Sequence, residues 1–125
     1  MNEVLNFLNT VLESIGLPYE FDTWTGRLRY PYFVGSIDSL EPDDEAGHEL
    51  YMFTLSGWTR HSLSQLLEWA AILKRTFPPV GGRTAILESG SGVAVFYDTC
   101  TNVPTGEEDL KRVDIILQVQ FFERN

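Results

Sequence analysis

Cysteine, histidine and positive charge are all scarce in this sequence, and each shortage removes a class of function. Cys100 is the only cysteine, so no disulfide can close within the chain and a reducing compartment is the default expectation. The two histidines, His48 and His61, have no second His, Cys or carboxylate at a spacing typical of a metal site. Nine Lys and Arg stand against 18 Asp and Glu, giving a net charge of −9 and a pI near 4.5. That balance opposes groove or phosphate binding, which depends on cations displacing the counterions of nucleic acid. It suits a surface past which DNA must slide, and it is equally an ordinary device for solubility. No stretch approaches the roughly 20 apolar residues of a membrane span. The start, Met1-Asn2-Glu3-Val4-Leu5, lacks a basic region followed by an apolar one, so a soluble product without a signal peptide and without a membrane partner is expected.

What is present is enough to fold. Hydrophobic residues make up 43% of the 125 residues and aromatics 13%, which fits one domain with one apolar core. The features that superficially invite chemistry do not develop into sites. Glu88-Ser89-Gly90-Ser91-Gly92 and Val80-Gly81-Gly82 are followed by no Lys-Ser/Thr pair, so they read as turns and not as phosphate cradles. Asp43-Asp44-Glu45 lacks the alternating carboxylates, central Gly and distal Glu of a calcium loop. A lone Cys100 is read as a small buried residue rather than a nucleophile. No catalytic residue, cofactor or metal is therefore expected, and the chain is read as a non-enzyme.

Periodicity places the elements. Val4, Leu5, Leu8, Val11, Leu12 and Ile15 recur at helical spacing, with Gly16 and Pro18 as stops. Tyr19 to Arg29 suggests a short strand pair turning near Thr25-Gly26, and a strand is expected from about Tyr32. Asp38 to Gly47 reads as a long solvated hairpin loop. Tyr51, Phe53 and Leu55 alternate with Met52, Thr54 and Ser56 as in a strand that ends over Gly57-Trp58-Thr59-Arg60. Ser62 and Gln65 have the spacing of a capping box opening a second helix, whose face is Leu63, Leu66, Leu67, Ala70 and Leu73 and whose end is forced by Pro78-Pro79. Thr84 to Leu87 and Gly92 to Asp98 form a hairpin. Val113, Ile115, Leu117, Val119 and Phe121 occupy every second position of a last strand. The expected fold is α+β: a single two-layer domain, mainly antiparallel β-sheet with two α-helices packed on one face.

One excess remains. The aromatic density around Trp24, Tyr30, Tyr32, Phe33 and Trp58 is unusual, and adjacent Phe121 and Phe122 must face opposite sides of their strand. Tyr and Trp are enriched at protein interfaces because they bury a large area while keeping a polar handle. Trp24, Tyr30, Tyr32, Trp58, Arg60 and Phe122 are the candidate oligomer or partner interface; the other reading is that the aromatics complete the subunit's own core.

Several stretches together resemble the tail terminator, or tail completion, proteins of long-tailed bacteriophages and related prophages. They are Tyr30-Pro31-Tyr32-Phe33-Val34, the acidic loop, the run Glu49-Leu50-Tyr51-Met52-Phe53-Thr54-Leu55-Ser56-Gly57-Trp58-Thr59-Arg60 with the helix after it, and the closing Leu110-Lys111-Arg112-Val113-Asp114-Ile115-Ile116-Leu117-Gln118-Val119. Thr99-Cys100-Thr101-Asn102-Val103-Pro104-Thr105-Gly106 departs from that pattern as a longer loop. The resemblance implies a virion protein at the head-tail junction, assembled in the host cytoplasm. It implies a homo-hexameric ring that ends polymerisation of the tail tube protein and offers a surface to the head connector or head completion protein. DNA would pass through the lumen without specific binding, with Asp43, Asp44 and Glu45 as the candidate lumen or docking loop. Two other readings stand beside it: another connector component, such as a head completion or joining protein, and a small-molecule binding or adaptor domain.

Overall fold

Apolar spacing determines where each element starts and which way it faces. The computed structural model describes residues 2–40 and 48–124. In chain order the elements are α1 (Asn2–Ser14), β1 (Tyr19–Phe21), β2 (Tyr32–Leu40), β3 (His48–Thr59), α2 (Leu63–Thr76), β4 (Arg83–Ile86), β5 (Gly92–Val103) and β6 (Lys111–Phe122). The strands form one six-stranded sheet in the order β1-β2-β3-β6-β5-β4. All neighbours are antiparallel except β1 and β2. This is the expected α+β architecture.

The odd-numbered residues of β3 and β6 turn to one side of the sheet, as a period of two requires. Tyr51, Phe53 and Leu55 pair with Val119, Leu117 and Ile115, and all six are buried. Val4, Leu8, Val11 and Leu12 of α1 and Leu66, Ala70 and Leu73 of α2 join them in one core cluster, so both helices cover this same face. Burial of each large apolar side chain contributes about 1.5–3 kcal/mol. Gly57 is required by that packing, since a Cβ there would lie 2.2 Å from the Phe33 ring. α1 stops where expected: Gly16 takes a φ of 76°, and the Leu17 N–H returns to the Leu12 carbonyl.

Four local expectations are corrected. Tyr19 to Arg29 is not a strand pair. Only Tyr19–Phe21 is strand, and it runs parallel to β2. The turn after it is held by the Glu20 carboxylate, which accepts from the Thr25 hydroxyl (2.7 Å) and from the backbone N–H groups of Thr25 and Gly26. A side chain thus supplies the partners that a second strand would have supplied. Residues 38–40, expected in the loop, are the end of β2 and pair with residues 50–52 of β3; the rest of that loop, residues 41–47, lies outside the described residues. The capping box is half made: the Ser62 hydroxyl accepts from Ser64 N–H, but the Gln65 side chain turns away to accept from the buried Thr59 hydroxyl at 2.6 Å. Satisfying an interior hydroxyl outweighs a second cap at an exposed helix end. Finally, Thr99 to Val103 is not loop. β5 continues through it after an irregularity between Tyr97 and Thr99 and stays paired with β6 to Arg112.

Candidate functional site

Both helices pack on one face of the sheet, and the even-numbered residues of β3 and β6 line the other, where most are half-buried. Tyr32, Trp58 and Arg112 are register partners across β2, β3 and β6, so they form one row at one end of this face. Tyr32 stacks on Trp58 with ring centroids 5.1 Å apart and an 18° interplanar angle. The Arg112 guanidinium lies 5.1 Å from the centre of the Trp58 ring. It is held there by a two-point contact to Asp114, Nε and Nη2 donating to the two carboxylate oxygens at 3.1 and 3.2 Å. At the other end of the row, Trp24 from the β1–β2 connection tilts onto Tyr32 at 5.3 Å. Offset or tilted aromatic pairs contribute about 0.5–1.5 kcal/mol each beyond the area they bury.

Tyr30 extends the cluster and ties it to the connection that leads into β6. Its ring contacts Tyr32 at 5.7 Å, and Arg60 lies over it at 5.8 Å while donating through Nε to the Tyr30 hydroxyl. Arg60 also donates to Glu107 at 2.9 Å and to Asp109 at 3.1 Å, both in the β5–β6 connection. These partners, Glu107 first, push the guanidinium pKa upward, so the cation is permanent. Burial, reinforced by Tyr30, pushes the Tyr32 phenol up as well, so the ring system stays neutral. The result is a flat, π-rich surface with fixed cations at two of its margins, suited to covering by another protein surface.

Five of the six interface residues expected from the sequence therefore meet: Trp24, Tyr30, Tyr32, Trp58 and Arg60. Phe122 does not join them. It stacks on His48 at 5.2 Å and is 44% exposed, ten residues along β6 from Arg112, which is about 33 Å at the rise of a strand. Its neighbour Phe121 is buried in the core, so the pair does divide between the two faces. Asp43, Asp44 and Glu45 lie outside the described residues. Arg112, Asp114, Glu107 and Asp109 were not singled out in the sequence; the signal was the non-apolar Arg112 and Asp114 at alternate positions of an apolar strand.

Elsewhere the chemistry is sparse. Among the described residues no group of three or more His, Cys, Asp or Glu could hold a metal ion, and no helix is long and apolar enough to cross a membrane. Cys100 is half-buried, and burial pushes its thiol pKa up, opposite to what an attacking thiolate needs. A cavity of about 570 Å³ opens beside β1, lined by residues that include Asn9, Glu13, Leu17 and Tyr19, and none of the stacked aromatics lines it.

No protein-family model matches the chain, and no curated protein matches it. Among solved structures, the fold is similar to that of a chain from the virion of a native gene transfer agent particle. The TM-score is 0.65 and the sequence identity 15%, over 90% of this chain and 84% of that chain. At that identity the likeness is one of fold.

Proposed function

We propose that this chain is a non-enzymatic structural subunit of a phage-like virion, assembling as a hexameric ring at the head-proximal end of the tail. There it ends growth of the tail tube and offers the surface to which the head connector attaches. The observation that carries this reading is the sheet face opposite the helices, where Trp24, Tyr32, Trp58 and Arg112 form an interlocked, half-exposed stack. A large aromatic patch left open on a small domain marks an association surface. The fold that presents it is similar to a chain from a gene transfer agent virion, which supports a virion role. The acidic balance of the chain accords with a lumen through which DNA moves without being held.

The test is incubation with purified tail tubes, followed by negative-stain electron microscopy and by addition of free tube protein. A ring at one end of each tube, and tubes that no longer elongate, is the expected result. Tubes that stay bare and keep growing overturn the terminator role. Binding confined to emptied heads would instead assign the chain to another position in the connector.

A further inference from the structure

From the two margins of the sheet we infer how neighbouring copies meet: an apolar knob at the β4 margin of one subunit enters the cavity at the β1 margin of the next. The inference rests on the self-association proposed above and adds which surfaces make it. Val80, at the tip of the α2–β4 connection, is 91% exposed, the extreme among the large apolar side chains described as exposed. Its loop is stiffened on both sides. Pro78 and Pro79 precede it, and the Gly82 backbone lies so close to Phe96 that a Cβ would sit 2.6 Å from the ring. Gly81 and Gly82 adopt φ values of 87° and 67°, which fixes a sharp bend behind Val80 that side-chain-bearing residues rarely adopt. A rigid, fully exposed valine on such a loop is costly to leave in water and well suited to insertion.

Cations flank the knob along the chain. Lys74 and Arg75 end α2, and Arg83 begins β4; all three are exposed, and none of them makes an ion pair among the described residues. On a chain of net charge −9 this is a local positive collar. At the opposite margin the cavity of about 570 Å³ has a mixed lining, with Leu17, Tyr19 and Phe21 beside the carboxylate-bearing Glu13 and Glu20. Asn9 Oδ1 and the Tyr19 hydroxyl, on residues of its wall, have no hydrogen-bond partner among the described residues. Basic collar and acidic lining are thus complementary in charge, with Leu17 and Phe21 offering the apolar contact for Val80.

Because β1 and β4 are the two outermost strands, knob and cavity lie at opposite ends of the sheet, about 24 Å apart at ordinary strand spacing. Two different patches that complement each other join copies head to tail, the interface type that closes into rings. The edge strands themselves are short, three residues in β1 and four in β4, so the contact is a side-chain plug more than a continued sheet. This assignment leaves the aromatic face free for the axial partner.

Three variants test it by light scattering and electron microscopy of the full chain, alone and on tail tubes. Val80→Asp places a carboxylate against the acidic lining, at a site too exposed for folding to depend on it. Glu13→Lys puts a cation in the last turn of α1, where the helix dipole favours one, and Arg75→Glu with Arg83→Glu reverses the collar. Each alone is expected to weaken association at least about tenfold, with circular dichroism unchanged. Mixing the Glu13→Lys chain with the Arg75→Glu/Arg83→Glu chain restores opposite charges at every junction of an alternating ring, and assembly should return. Rings that form equally well from every variant overturn this contact while leaving the ring reading standing. A wild-type chain that stays monomeric in solution and on tubes overturns both.

Discussion

Replacing Trp58 by alanine separates an interface residue from a core residue, because the two roles predict different sizes of effect in different assays. In the isolated subunit Trp58 is half-buried and makes two specific contacts, the stack on Tyr32 and the cation–π contact with Arg112. The stack contributes about 0.5–1.5 kcal/mol, and an exposed cation–π contact about 0.5–1 kcal/mol. Lost area on the buried side adds about 1 kcal/mol. Urea unfolding of Trp58→Ala should therefore show a loss of about 2–3 kcal/mol, against about 3–5 kcal/mol for Phe53→Ala in the closed core. Assembly should suffer as well, in a fold that stays intact. A tryptophan at the centre of a covered patch typically costs about 2 kcal/mol or more on truncation, roughly a 30-fold weaker affinity for the tube. A cycle with Arg112→Ala isolates the coupling within the stack. If the folded variant binds tubes within about twofold of wild type, or if it unfolds as readily as Phe53→Ala, the open-face argument is wrong.

Two further outcomes follow from the packing and the charge pattern. Gly57→Ala drives a methyl into the Phe33 ring, and the resulting strain should lower unfolding free energy by about 1–3 kcal/mol in denaturant titration; Phe33→Leu in the same chain should recover part of it. The Glu20 carboxylate pKa is lowered, chiefly by the Thr25 hydroxyl, so its folded value lies below its unfolded one and its contribution is present at neutral pH and lost as pH falls through the folded value. Thermal melts on the acid side should therefore lose stability less steeply in Glu20→Gln than in wild type, and identical slopes would show that this carboxylate does not hold the turn.

Strong periods made much of this fold readable before any coordinates. In β6 five apolar residues at alternate positions leave one interpretation, and Leu66, Ala70 and Leu73 do the same for α2. Where the physics is cross-strand, sequence spacing is silent. Arg112 meets Trp58 only because β3 and β6 pair in one particular register, and β1 joins β2 in parallel through the Phe33 N–H to the Pro18 carbonyl, neither of which a local pattern encodes. The end of β5 departs from its sequence pattern for a definable reason. The irregularity between Tyr97 and Thr99 inserts a residue, so Tyr97 and Cys100 both pack against the core and the alternation breaks at the point where a reader expects a turn. The aromatic cluster was legible as an excess in composition; which of its members touch was not, and Phe122 was grouped with it although it sits at the far end of the sheet.

The two-point grip of Asp114 on Arg112, and the hold of Glu107 and Asp109 on Arg60, have a kinetic corollary. Side chains that are locked by their neighbours before an encounter surrender little rotamer freedom when a partner arrives, a saving of about 0.5–1.5 kcal/mol for each one already immobilised. A docked partner accordingly meets a surface that needs no rearrangement, and the complex should form at near-rigid-body rates and be long-lived once made.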